Sequence, residues 1–294
     1  MAVLFLLFIH VGFLLSSLHI SGSPLVAGGF VQRNNETDRL ALLSFKAAIT
    51  GDPLGALTSW NQSIHFCLWV GVTCGRLHQR VVVLTLEHLQ LTGSVSPHSK
   101  NLSFLRGLWL QNNSLSGEIP PELGRLQRLR VLAFLYATYN SITGNIPDTL
   151  GGCKKLELGD LCFLNSLTNA TKLRSLSLGY NNFGGVLPES ISNFSTSVIT
   201  LGLNDNDIGG SIPTGIGNLI NLQGLGLDNN HISGNIHADI GKLQKLEALN
   251  LHGNEFYREI PSTLAILTSV SQLSLSENNL PMTSFGSQTQ GTNI

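Results

Sequence analysis

Apolar residues in this chain recur in pairs one position apart, and the pairs themselves recur. Leu-x-Leu stands at Leu84/Leu86, Leu108/Leu110, Leu176/Leu178, Leu201/Leu203, Leu225/Leu227, Leu249/Leu251 and Leu273/Leu275; apart from the 68 residues between Leu108 and Leu176, adjacent pairs are 24 residues apart, or 25 from Leu176 to Leu201. Three residues beyond the second leucine comes an asparagine: Asn113, Asn181, Asn206, Asn230, Asn254 and Asn278. An apolar residue and a glycine follow, as in Leu115/Gly117, Ile208/Gly210 and Ile232/Gly234. Ile-Pro often closes the unit, at Ile119-Pro120, Ile146-Pro147, Ile212-Pro213 and Ile260-Pro261.

The spacing has a physical reading. Alternation with period two is a short strand whose leucines point one way, into a core. One such unit has nothing to bury its leucines against, so stability requires stacked neighbours. An asparagine amide carries donors and an acceptor, and stacked copies can satisfy the backbone of each turn as a ladder. Glycine permits the turn, and proline sits where no donor is needed. The expected fold is an α/β repeat: a right-handed solenoid of about eight repeats over 79–280, with a parallel β-sheet on its concave face.

Two places break the rhythm. The repeat carrying Leu132-x-Phe134 reaches Asn140 three residues late, which predicts a bulge within 135–139. From Gly144 to Gly185 there are 41 residues, where two repeats would need about 48. A phase break is therefore expected near 153–160. The polar tail, 281–294, is expected to be disordered.

Residues 3–15 are apolar and give way to small and polar residues by 21–29. We read 1–27 as a secretory signal peptide, with a membrane anchor as the competing reading. Six Asn-x-Ser/Thr acceptors suit the same route: Asn35, Asn61, Asn101, Asn112, Asn169 and Asn193. Of the four cysteines, Cys153 and Cys162 are read as free thiols, a disulfide being the alternative.

Charge and motif content narrow the function. Charged residues make up 12% of the chain and the net charge is −1, so there is no basic stripe for nucleic acid. The nine histidines are scattered, and no histidine pair accompanies Cys153 and Cys162 at ligand spacing. No Gly-x-Ser-x-Gly, HExxH, P-loop or kinase motif stands in the 294 residues. No catalytic, cofactor or metal site is expected.

The stretch Leu108-Trp-Leu110-Gln-Asn-Asn113-Ser-Leu115-Ser-Gly117-Glu-Ile119-Pro120-Pro-Glu-Leu123-Gly124 resembles the plant-type leucine-rich repeat (LRR). Asp38 to Lys46, Asp52-Pro53, Ser59-Trp60-Asn61 and Cys67-Leu-Trp69-Val-Gly71-Val-Thr-Cys74 resemble the N-terminal cap of plant LRR receptor kinases, here placed at 35–75. The region 159–173 resembles the receptor-kinase group that senses bacterial elicitors. This resemblance implies an extracellular recognition domain in defence or development signalling, stopping before the family's transmembrane and kinase segments. It would be secreted to the apoplast, or sit outside the plasma membrane in a longer form. The partners implied are a peptide or protein ligand and, as a further candidate, a membrane co-receptor kinase. The alternatives are a secreted LRR inhibitor of extracellular enzymes and a non-functional receptor fragment.

Read on its residues, the cap makes sense. Leu40, Leu43, Phe45, Ala47 and Ile49 have partly helical spacing, with Asp38 expected as N-cap. A helix over the open end would cover exposed leucines, and a Cys67–Cys74 disulfide would staple it to the first strand. Trp60 and Trp69 are expected to pack within the cap. Residues flanking each Leu-x-Leu face outward from the sheet. That column contains Glu87, His88, Arg106, Trp109, Gln111, Arg130, Tyr180, Asn204, Asp205, Asp228, Asn229, His252, Ser274 and Glu277. Trp, Tyr and Arg supply much of the energy at interfaces. We therefore expect a ligand face centred on Trp109, against the plainer reading of a solvated sheet surface.

Overall fold

In the computed structural model residues 32–124, 133–146 and 171–281 are described, and apart from Gln32 they fall in one compact unit, Arg33–Ile294. The signal segment, Arg130, Cys153, Cys162, Asn169, the phase break and the tail beyond Pro281 lie outside the described residues.

One nine-stranded sheet organises the unit. Its strands are β1 (Val72–Cys74), β2 (Val81–Thr85), β3 (Gly107–Trp109), β4 (Phe134–Tyr136), β5 (Ser175–Ser177), β6 (Thr200–Gly202), β7 (Gly224–Gly226), β8 (Ala248–Asn250) and β9 (Gln272–Ser274). They lie side by side in chain order. β1 runs antiparallel to β2 and every later pair is parallel. The first leucine of each repeat is in register with the next: Leu84, Leu108, Leu135, Leu176, Leu201, Leu225, Leu249 and Leu273. All but Leu273 are buried.

Seven asparagines make the ladder. Each side-chain oxygen accepts an N–H from the preceding coil, and each amide nitrogen donates to carbonyls of its own coil and of that neighbour. Asn230 Oδ1 accepts from Ile208 (3.0 Å), and its Nδ2 donates to Leu203, Leu227 and Asp228, each at 3.1 Å. Asn113, Asn181, Asn206, Asn254 and Asn278 repeat the scheme. So does Asn140, whose oxygen accepts from Leu115 at 2.9 Å.

Asn140 corrects the expected bulge. Leu135 and Ala137 are the buried pair of this repeat, and Asn140 follows Ala137 at the regular offset of three. An alanine in place of the second leucine concealed the motif, and Phe134, read from the sequence as a core position, opens β4 one residue before the buried Leu135 and pairs with Gly107. The extra residues therefore precede β4, since Leu108 and Leu135 pair directly across 27 positions. Leu135 likewise pairs directly with Leu176.

Helix α1, Gln32–Ala48, closes the first end. It buries Ala41, Leu42 and Phe45 beside Trp60 and Trp69, whose rings stack with centroids 5.5 Å apart. The Trp60 indole donates to the Val70 carbonyl (2.9 Å), and Lys46 Nζ reaches the carbonyls of Leu57 (2.8 Å) and Trp60 (3.0 Å). Cys67 and Cys74 form a disulfide that ties this segment to β1. Asp38 is not the N-cap. The helix starts earlier, in a polar stretch that carries no apolar period, and Asp38 is buried in mid-helix as the partner of Arg80.

Candidate ligand-recognition face

Each repeat presents the same outward positions: one before the first core leucine, one between the two, and two after the second. The last of these takes left-handed backbone throughout: His88, Asn112, Tyr139, Tyr180, Asp205, Asn229, Gly253 and Glu277, with φ from 52° to 64°. In this conformation its N–H meets a carbonyl of the next coil, as Tyr180 N does with Asn204 (2.9 Å). Asparagine and aspartate tolerate the left-handed region better than other non-glycine residues, which suits Asn112, Asp205 and Asn229. The same turn sets these side chains in a column along the trailing edge of the sheet.

The N-terminal half of the face is aromatic. Trp109, Phe134 and Tyr136 form a cluster with centroids 5.9, 6.0 and 6.3 Å apart. Trp109 and Tyr136 are register neighbours on β3 and β4. The Trp109 ring lies back over Gly107, where a Cβ would collide with it. Beside the cluster, Tyr139 and Tyr180 stack with centroids 4.1 Å apart and are 44% and 38% exposed. The Tyr180 hydroxyl is held well above its ordinary pKa, first by burial, then by its hydrogen bond to Tyr139 and the charge of Asp205.

The floor then drops. Ser175, Ser177, Gly179, Thr200, Gly202, Gly224 and Gly226 occupy the outward positions of β5 to β7 and the turn after β5, and their small side chains leave the backbone close to the surface. Beyond this floor lies a polar network. Asp205 accepts from Asn204 Nδ2 and Asn229 Nδ2, both at 2.8 Å. Asp228 is pushed up to about 6, first by burial and then by the charge of Asp205, while its own backbone hydrogen bond and His252 oppose the shift. His252 Nε2 stands 4.0 Å from Asp228 Oδ2.

Most of the expected face residues that are described fall into three groups. Glu87 and Gln111 hydrogen-bond to each other at the first end, and His88 Nε2 lies 3.3 Å from Asn112 Nδ2. Trp109 and Tyr180 belong to the aromatic wall. Asn204, Asp205, Asn229, Asp228 and His252 form the polar end. Arg106 is exposed on the leading edge, joined by Arg174, and Glu277 stands exposed at the last turn, apart from the rest. Sequence reading missed Phe134, Tyr136 and Tyr139. Counting back five residues from Asn140 would have found them, since that offset locates the first core leucine in the six repeats whose asparagine the spacing identified.

Among the described residues no cluster of histidine, cysteine and carboxylate side chains could hold a metal, and no helix is long and apolar enough to cross a membrane.

A leucine rich repeat N-terminal domain model matches residues 35–75, and a Leucine Rich Repeat model matches 104–126 and 172–194. Over 98 residues, 33% of this chain, the sequence is 50% identical to the LRR receptor-like serine/threonine-protein kinase EFR of Arabidopsis thaliana. That match covers 10% of the kinase, so the chain spans about a tenth of the length of such curated relatives. Among solved structures, a plant ice-binding protein superposes with a TM-score of 0.70 at 26% identity, covering 85% of this chain and 73% of that one. The Arabidopsis receptor kinase HAESA, solved with the peptide hormone IDA and the co-receptor SERK1, superposes with a TM-score of 0.63 at 27% identity, covering 83% of this chain and 42% of that one. This chain is a leucine-rich-repeat solenoid with a disulfide-stapled N-terminal cap, built on the plan of plant receptor ectodomains.

Proposed function

We propose that this chain is an extracellular recognition domain that binds a peptide or protein ligand along the face of its main sheet. The observation that carries the reading is the Trp109–Phe134–Tyr136 cluster standing beside the Ser/Gly floor of β5 to β7. Rigid aromatic side chains give large contact area at low entropic cost, and a step between wall and floor lets an extended chain lie close to the backbone. HAESA, bound to a peptide hormone and a co-receptor, supports the same use of a similar solenoid. Catalysis would belong to other proteins or segments. A co-receptor kinase is a second expected partner, and defence or development signalling the expected setting.

The test is binding of the plant-secreted protein to an array of synthetic dodecapeptides, beside Trp109→Ala, Tyr136→Ala and the control Lys242→Ala. Lys242 sits in the short helical turn Ala238–Lys242, away from the main sheet. Peptides held by the parent protein should lose at least tenfold affinity in both aromatic variants. If bound peptides are indifferent to Trp109 and Tyr136, the face is an ordinary solvated sheet.

A second reading rests on another surface. Thr50, Thr92, Ser114, Ser116, Ser141 and Thr143 are all exposed on adjacent strands of a smaller, five-stranded sheet, with strands about 4.8 Å apart. Such an array of hydroxyls, in which Glu118 is the exposed charge beside Thr143, could order water, and the ice-binding neighbour supports that reading. Inhibition of ice recrystallisation that is lost in Thr92→Tyr would favour it, and growth of coarse ice in the parent protein would end it.

A further inference from the structure

Asn112 begins an Asn-Asn-Ser acceptor sequence and is also one of the left-handed residues on the trailing edge of the main sheet. The other described acceptors lie elsewhere: Asn35 in α1, Asn61 in the cap, and Asn101 and Asn193 at the ends of helical turns away from the main sheet. Within its acceptor sequence, Asn113 is fixed in the ladder while Ser114 is exposed. The side chain of Asn112 has one polar neighbour, His88, at 3.3 Å. In the next coil the same column holds Tyr139, which receives the Asn113 N–H on its carbonyl at 3.2 Å and whose ring is 44% exposed. A sugar carries apolar C–H faces that pack on aromatic rings, and the Tyr139–Tyr180 stack offers such a ring within one strand spacing.

We propose that Asn112 carries an N-linked glycan that lies along the trailing edge against Tyr139 and walls off that side of the aromatic cluster. A ligand then enters from the opposite edge, past Arg106 and Arg174, which are both exposed. The inference rests on the extracellular reading above, because the modification occurs only on the secretory route.

The test uses the full chain secreted from plant cells, with Ser114→Ala and Ser114→Thr beside it. Ser114→Ala destroys the acceptor but leaves Asn112 and its turn intact, and Ser114→Thr preserves it. Glycopeptide mass spectrometry should find a glycan on the Asn112 peptide of the parent and Ser114→Thr proteins, and its loss in Ser114→Ala. Trp60 and Trp69 are buried at 1% and 2% exposure, so acrylamide quenching of tryptophan fluorescence reads Trp109. Quenching should rise in Ser114→Ala and stay at the parent level in Ser114→Thr, with unchanged melting curves. An unmodified Asn112 peptide alongside a glycosylated Asn193 peptide would overturn the proposal and leave the extracellular reading standing. Absence of glycan at every acceptor would overturn both. A glycan on Asn112 with equal quenching in all three proteins would show that it points away from the face.

Discussion

Arg80 grips Asp38 across 42 residues of sequence. Its Nε and Nη2 donate to the two carboxylate oxygens at 3.0 and 2.6 Å, and the Val81 N–H donates to Asp38 Oδ2 at 2.8 Å. The guanidinium also donates to Ser103 Oγ (3.0 Å) and lies over the Phe104 ring, 4.7 Å from its centroid. Asp38 is fully buried. The pair bolts the cap helix to the first strand of the repeat array, at the end where uncapped leucines would otherwise meet water.

Breaking that pair from one side leaves a buried charge with nothing to answer it. Asp38→Ala should therefore cost about 3–5 kcal/mol, read as a lowered urea midpoint. Replacing both partners with apolar residues, Asp38→Leu with Arg80→Met, should recover much of the loss. If the double variant is no more stable than Asp38→Ala, the pair is not what fastens the cap.

The ladder makes a sharper demand on chemistry than on shape. Asn230 is 6% exposed and satisfies one N–H and three carbonyls. Asn230→Ala strands those groups and should cost about 2–3 kcal/mol. Asn230→Asp keeps the volume and the acceptor for Ile208, but turns a negative charge toward the three carbonyls. At pH 7 it should be the less stable of the two by thermal melting. An aspartate tolerated as well as asparagine would mean that the amide donors contribute little.

How much of this could be read from the sequence follows from which interactions are local. The strands, the direction of their leucines and the asparagine offset depend on residues within one repeat, so a period of 24 displays them. The repeat at Leu135 escaped because Ala137 stands where leucine was sought, and with it went Phe134, Tyr136 and Tyr139, three of the five rings in the two aromatic groups of the face. The partnership of Asp38 and Arg80 depends on how the cap docks, which no local spacing encodes. The stepped floor at Ser177, Gly202 and Gly226 becomes visible only when the coils are stacked in register.

The polar end of the face should make stability depend on pH. Burial raises the Asp228 carboxyl from 3.8 to about 6 in the folded protein. The folded state thus binds this proton more tightly than the unfolded state does. Its unfavourable contribution is absent below pH 4, grows as pH rises from 4 to 6, and is fully present above that. A shift of this size corresponds to an effect on the order of 3 kcal/mol. Asp228→Asn should accordingly raise the melting temperature at pH 7.5, with little change at pH 4. Equal shifts at both pH values would mean that the carboxyl ionises as it does in water.

Gly107 sets the position of the Trp109 ring. The ring lies over the bare Gly107 backbone, and any Cβ there would occupy its space. The indole is the outer end of a rotatable side chain, so Gly107→Ala should displace the ring rather than break the strand, and β3 should keep its pairing with β2 and β4. The displaced indole would leave Phe134 and Tyr136, to which it is now packed at 5.9 and 6.0 Å. Near-ultraviolet circular dichroism should therefore lose its Trp109 contribution, far-ultraviolet spectra should be unchanged, and peptide binding should weaken as it does in Trp109→Ala. Were Gly107→Ala to bind as the parent protein does while the aromatic spectrum changed, the ring's presence would matter to the ligand but its place over Gly107 would not. An unchanged near-ultraviolet spectrum would mean that the indole already spends its time elsewhere, and the aromatic wall would shrink to Phe134, Tyr136 and the Tyr139–Tyr180 stack.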